Sequence, residues 1–229
     1  MFYNKCLLFL LFISRVGFEC QAGVMFQILS GPTVSESSAQ NEASGISVFT
    51  YSRGSGLTEA GTSSTFNSTE FALNGTEANA ITNGDFITWG FTSAVPYNLT
   101  DFDIRYDRSD TGPTGIRIDF QANGGAFQTV LRDLVVDANG ETIIGTSLTS
   151  FGNVTSGTFR LIGFGATDSA GTFDFENDNA ISARTSSFEL NGSPTAAVPE
   201  PSSVAFLGTL FLSGIVGARF RKKSRQSNQ

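Results

Sequence analysis

Between residues 23 and 197 the side chains with acid–base or ligating chemistry are almost all carboxylates. Nineteen Asp and Glu face seven Arg, with no Lys, Cys or His, for a net charge of −12. Nucleophiles that need an imidazole are closed off, and so are Ser-Lys and Schiff-base chemistry, because the base or amine is missing. What remains is work by two carboxylates, as in glycoside hydrolysis. The spacing of these acids selects no catalytic pair. Oxygen-only metal binding is also open. Asp174, Glu176 and Asp178 alternate, so a strand would put them on one face as calcium ligands. Against this stand Asn179, where a calcium loop has its turn glycine, and a spacing that fails the EF-hand pattern; a solvated strand face before a turn accounts for the three acids. No cofactor is expected, and a domain without cysteine has neither a disulfide nor a thiolate metal site.

Aromatic residues offer a second chemistry. Trp89 and Tyr97, with Tyr51 and Tyr106, could stack on the faces of sugar rings. Alternation favours a core role instead, since Trp89 is in register with Ile87 and Phe91, and Tyr106 with Phe102 and Ile104. Asp101, Asp103, Asp107 and Asp119 fall on the polar side of the same alternation and are expected to face water with ordinary, low pKa values. Arg105 and Arg108 beside Asp103, Asp107 and Asp110 predict surface ion pairs.

The elements that must position these groups read as strands. Ile87, Trp89 and Phe91, then Phe102, Ile104 and Tyr106, then Ile116, Ile118 and Phe120 each alternate with polar or small neighbours. Ala122-Asn123-Gly124-Gly125 predicts a turn into a hairpin partner through Phe127 and Val130. Further strands are expected over residues 24–29, 46–51, 135–136, 142–148, 158–164, 171–175 and 187–190. The Ser-, Thr- and Gly-rich stretch 33–69 reads as loop around one or two of them, and no window from 30 to 193 shows a helical stripe. The fold class is therefore all-β, an antiparallel β-sandwich of the jelly-roll kind spanning residues 23–196.

Both ends read as targeting segments. Lys5, the apolar run 6–13 and Cys20-Gln21-Ala22 predict a signal peptide over 1–22, cut by signal peptidase between Ala22 and Gly23. Residues 197–229 hold Pro199, Glu200 and Pro201, then an uncharged apolar run from Val204 to Ala218, then Arg219, Arg221, Lys222, Lys223 and Arg225. The prolines keep a helix from starting before Pro201. The apolar run, about 22 Å long as a helix, makes a short transmembrane span whose basic tip stays inside. This tripartite tail resembles the PEP-CTERM sorting signal of bacterial surface proteins. The resemblance implies recognition by an exosortase, transient anchoring in the inner membrane, and delivery to the cell surface or matrix.

Two inner segments, Tyr97 to Pro113 and Thr158 to Ala166, look like strands of the jelly-roll ectodomains of that group. After Asn179 the pattern departs, because Ala180 to Thr185 intervenes before Phe188 to Gly192. The acidic balance argues against nucleic acid as a partner. The leading expectation is a non-enzymatic structural or adhesive module associated with extracellular polysaccharide. Its competitor is a secreted carbohydrate-active enzyme with two carboxylates about 5–9.5 Å apart.

Overall fold

The structure, a computed structural model, describes residues 22–31, 33, 35–61, 65–73, 75–138, 140–177 and 186–195. Contacts divide the chain after Thr195, and every described residue belongs to the first unit. The expected signal segment up to Gln21, the Pro199-Glu200-Pro201 box, the apolar span, the basic tip and Asp178 lie outside the described residues. Among the described residues no helix is long and apolar enough to cross a membrane.

The architecture turns on one long strand. In chain order the strands are β1 (Gly23–Ser30), β2 (Ser37–Gln40), β3 (Ile46–Arg53), β4 (Thr58–Glu59), β5 (Phe66–Thr69), β6 (Phe86–Arg108), β7 (Gly115–Ala122), β8 (Gln128–Asp133), β9 (Glu141–Ser147), β10 (Val154–Phe164), β11 (Phe173–Phe175) and β12 (Phe188–Pro194). A short helix α1 (Glu77–Asn83) precedes β6. The first half of β6 pairs with β3 and β10, and β10 continues the layer to β7 and β8. Its second half pairs with β12, β11 and β9. From there β12 leads to β1 and β2, and β11 leads to β5 and β4. All of these pairings are antiparallel.

Alternation places the core where the two halves of β6 meet. Ile87, Trp89 and Phe91 are buried from the first half and Phe102, Ile104 and Tyr106 from the second. The parity of the buried positions changes between Leu99 and Phe102, where the pairing with β12 also shifts register between Asn191 and Gly192. A bulge of this kind re-aims the side chains after it. Phe159 of β10 meets Phe102 at 5.6 Å and Phe188 of β12 at 5.0 Å, while Trp89 meets Phe188 at 5.3 Å. Edge-to-face contacts of this sort tie the two layers together.

Several local expectations change. The strands expected near 87–91 and 102–106 are one continuous β6, exposed at Thr92, Ala94 and Val95 where it passes from one layer to the other. Stretch 33–69 carries β2, β3, β4 and β5. Helix α1 buries only Ala80, and seven residues with one buried side chain leave no stripe to read. It is held by Thr76, whose hydroxyl accepts from Asn79 N, and by Gly84 at φ 85. Val135 and Val136 lie after β8 rather than in a strand, and Val135 is exposed.

Candidate functional site

The alternation of β11 sets the site. Phe173 and Phe175 face the core, where Phe173 meets Tyr106 at 5.3 Å and Phe175 stacks on Tyr51 at 3.9 Å. Asp174 must therefore point to the other face. Its partner on β6 is Asp107 and its partner on β5 is Asn67. Directly opposed residues of an antiparallel pair share a face, with Cβ atoms about 4.5–5.5 Å apart. Asn67, Asp174 and Asp107 thus form one row across three strands, and Glu176, two residues beyond Asp174, stands beside it.

The carboxylates of Asp107, Asp174 and Glu176 each place an oxygen within 4.8 Å of the others. Asp174 is buried, with Asp107 and Glu176 half-buried. Thr65 Oγ1 donates to Asp174 Oδ2 at 2.7 Å. The Asp174 carboxyl is pushed up to about 9, first by burial, then by the hydrogen bond with Asp107 and the negative charges of Asp107 and Glu176; the Thr65 hydroxyl pulls the other way. Asn67 is 9% exposed, and its Oδ1 is buried with no hydrogen-bond partner among the described residues. Arg105, two residues before Asp107, brings a positive charge to the same face. A β-carbon built on Gly140 would lie 3.6 Å from Arg105 Nη2 and 3.9 Å from Asp107 Oδ2.

A second charged group surrounds Asp119 on β7. Its carboxylate is buried and accepts from Arg117 Nε at 2.8 Å and Nη2 at 2.7 Å, from Arg160 Nη2 at 2.9 Å and from Thr129 Oγ1 at 2.9 Å. Burial works to raise the Asp119 carboxyl, but the bonds from Arg117, Arg160 and Thr129, with the Arg117 charge, hold it below the usual carboxylate range. Glu77 of α1 closes the network through Arg117, at 2.9 Å, and Arg132. The cause is topology. β7 lies between β10 and β8, so its outward face is lined by arginines of its own strand and of the strands beside it.

The residues singled out in the sequence land as follows. Trp89 and Tyr97 are 0% and 5% exposed, so neither offers a ring face to a sugar; Trp89 stacks on Phe159 at 5.5 Å instead. Of the three alternating acids, Asp174 and Glu176 meet, with Asp107 rather than Asp178 completing the described cluster. Asp119 and Asp103 are buried rather than facing water. Arg108 donates to the backbone carbonyls of Val136, Ser109 and Asp110, where an ion pair was expected. Ala22 and Gly23 are exposed at the start of β1. Asp107 and Asn67 carry no local signal. Each stands in an unremarkable strand segment and becomes part of a site only through pairing register.

The chain matches no family model and no curated protein. Among solved structures it is similar to a family 89 glycoside hydrolase from Clostridium perfringens in complex with 2-acetamido-1,2-dideoxynojirmycin, at 18% identity and TM-score 0.36, covering 73% of this chain and 15% of that one. It is also similar to the Podospora anserina GH26-CBM35 β-(1,4)-mannanase, at 18% identity and TM-score 0.30, covering 76% of this chain and 29% of that one. A third similarity is to the F5/8 type C domain of a Bacteroides fragilis protein, at 14% identity and TM-score 0.30, covering 67% of this chain and 100% of that one. Likenesses this distant leave function to be argued from the chain's own residues.

Proposed function

We propose that the chain is an exported cell-surface or extracellular-matrix protein, sorted through its tail, whose antiparallel β domain is a non-catalytic structural or adhesive module associated with extracellular polysaccharide. In this reading residues 23–196 form a jelly-roll-like sandwich. Signal peptidase cuts between Ala22 and Gly23. The helix over 204–218 anchors the chain transiently in the inner membrane, with Arg219, Arg221, Lys222, Lys223 and Arg225 inside, and an exosortase acts at Pro199, Glu200 and Pro201. The observation that carries the sorting is the arrival of box, apolar run and basic tip together in residues 199–225.

The contact between Asp107 and Asp174 supports the non-catalytic half. Glycoside hydrolysis needs carboxyl groups about 5–5.5 Å apart for retention, or about 6.5–9.5 Å for inversion, with the sugar between them. Two carboxyls directly opposed across a strand pair, with oxygens within 4.8 Å of each other, fall short of either spacing. Burial of Trp89, Tyr51, Tyr97 and Tyr106 also removes the stacking platforms a sugar-cleaving cleft uses, so contact with polysaccharide falls to polar surface and gains strength through many copies.

One feature favours the alternative, a secreted carbohydrate-active enzyme: burial and the neighbouring acids push the Asp174 carboxyl up, the direction a general acid needs. Incubating the protein with the producer's own exopolysaccharide separates the two readings. Retarded migration without new reducing ends is expected. Reducing-end release that disappears in Asp174→Asn would replace the first reading with the second.

A further inference from the structure

The geometry points to a calcium site on the outer face of β5, β11 and β6, held by the carboxylates of Asp107, Asp174 and Glu176 and by Asn67 Oδ1. The inference does not rest on the sorting reading, and its failure leaves that reading untouched.

Two aspartates directly opposite each other on one face repel, and the strand pairing holds their β-carbons about 4.5–5.5 Å apart. Burial makes this worse, because an ionised carboxylate taken from water needs a compensating charge. A shared proton is one remedy and a cation is the other. Asn67 decides between them. An amide oxygen only accepts, so a buried Oδ1 without a partner among the described residues, set opposite a carboxylate, calls for a positive species in the row. A proton held between Asp107 and Asp174 does nothing for that oxygen, whereas a cation between the strands satisfies all four residues together.

Charge and donor type identify the cation. Three carboxylates beside Arg105 leave a net charge of −2, which one divalent ion neutralises. The donors are all oxygen, three carboxylates and one amide, with no nitrogen or sulfur, which selects a hard ion. Carboxylate oxygens within 4.8 Å of one another can surround an ion with metal–oxygen distances of about 2.3–2.6 Å, as for calcium, whereas magnesium dehydrates reluctantly, keeps several waters and is the poorer fit to a partly buried row of four protein donors. Water completes the shell from the half-exposed side of Asp107 and Glu176. The ion would fasten β11, only three residues long, to both of its neighbours.

The test is thermal unfolding of the full chain at neutral pH in millimolar calcium, in millimolar magnesium and in chelator. Calcium is expected to raise Tm by roughly 2–9 °C over chelator, the shift that an extracellular-strength site gives a domain of this size. Asp174→Asn should lose the calcium shift and yet melt above the wild type in chelator, since an amide there needs neither a bound proton nor a counter-charge. Asp107→Asn should lose the shift as well, and Asp168→Asn, in an exposed loop, should keep it. No calcium response in the wild type, an equal response to magnesium, or a full calcium shift in Asp174→Asn would overturn the site. The first of these results would mean that Asn67 turns its amide NH2 toward Asp174.

Discussion

Two buried aspartates, Asp119 and Asp174, answer pH in opposite directions because one is surrounded by cations and the other by acids. The Asp119 carboxyl lies below its unfolded value of about 3.9. Its contribution is therefore present above that pH and is lost as pH falls through the folded pKa. Asp119→Asn leaves Arg117 and Arg160 facing an amide. It should cost about 3 kcal/mol at neutral pH, read as a lower urea midpoint, and should flatten the acid limb of a Tm-versus-pH curve. Asp174 has the reverse sign. Its carboxyl is raised to about 9, so its contribution is complete below about 3.9 and is lost as pH rises toward 9. Among the described residues the charged groups facing it are Asp107 and Arg105 on β6 and Glu176 on its own strand. Arg53, beside β5, lies on the opposite face, 4.0 Å above the Phe66 ring. In chelator the wild-type Tm should fall steadily from mildly acidic to alkaline pH, while Asp174→Asn stays flat over the same range. A wild-type curve that is flat there would show that Asp174 is ionised without a cation.

Among the elements, the strand pair β6–β10 is where packing is least forgiving. Phe91 pairs with Gly157 and Gly90 with Thr158. A β-carbon on Gly157 would come within 2.6 Å of the rings of Phe120 and Phe91, and one on Gly90 would come within 2.0 Å of the Gly157 carbonyl oxygen and 2.4 Å of the Phe49 ring. Rings can shift and a paired carbonyl cannot. Gly157→Ala should therefore cost about 1–3 kcal/mol and Gly90→Ala more, with the urea m-value unchanged in both; equal losses would contradict this. Neither constraint could be read from the sequence, because each glycine meets atoms roughly forty to seventy residues away. The alternation of Ile87, Trp89 and Phe91, or of Ile116, Ile118 and Phe120, is local and was legible. So was the turn at Asn123 and Gly124, which carry φ 51 and 70. The same limit governs the site. Asp174 and Glu176 were legible, with Asp178, as alternating acids, whereas Asp107 and Asn67 join them only through register. Asp119 looked solvated by alternation because alternation reports which face a residue is on, and not that arginines cover that face.

At the scale of the whole molecule, the two ends of the described chain leave it side by side. Gly23, the first residue of β1, pairs with Gly192 of β12, and Thr195 N donates to Pro96 O at 2.9 Å just past the end of that strand. β12 lies between β1 and β6, so its backbone is hydrogen-bonded on both edges. Met25 and Phe26, two and three residues into β1, are 0% exposed. The ladder and the core thus begin almost at once inward from each end. A protease that needs an extended, accessible backbone meets paired and buried chain within a few residues of Ala22 or Thr195. The proposed cuts, after Ala22 and at the Pro199-Glu200-Pro201 box, both fall outside that protected region and remove no described strand. Intact-mass measurement on protein extracted from the surface of a cell with a matching exosortase should therefore find a chain that starts at Gly23 and ends near Pro199–Pro201. Limited proteolysis of the full chain should converge on nearly the same core, resistant from about residue 23 to about 195. The two measurements separate the claims. Recovery of all 229 residues from the membrane of such a cell would overturn the sorting while leaving the resistant core intact. Digestion running into Met25 or Leu190 would instead mean that the β1–β12–β6 ladder does not hold the ends.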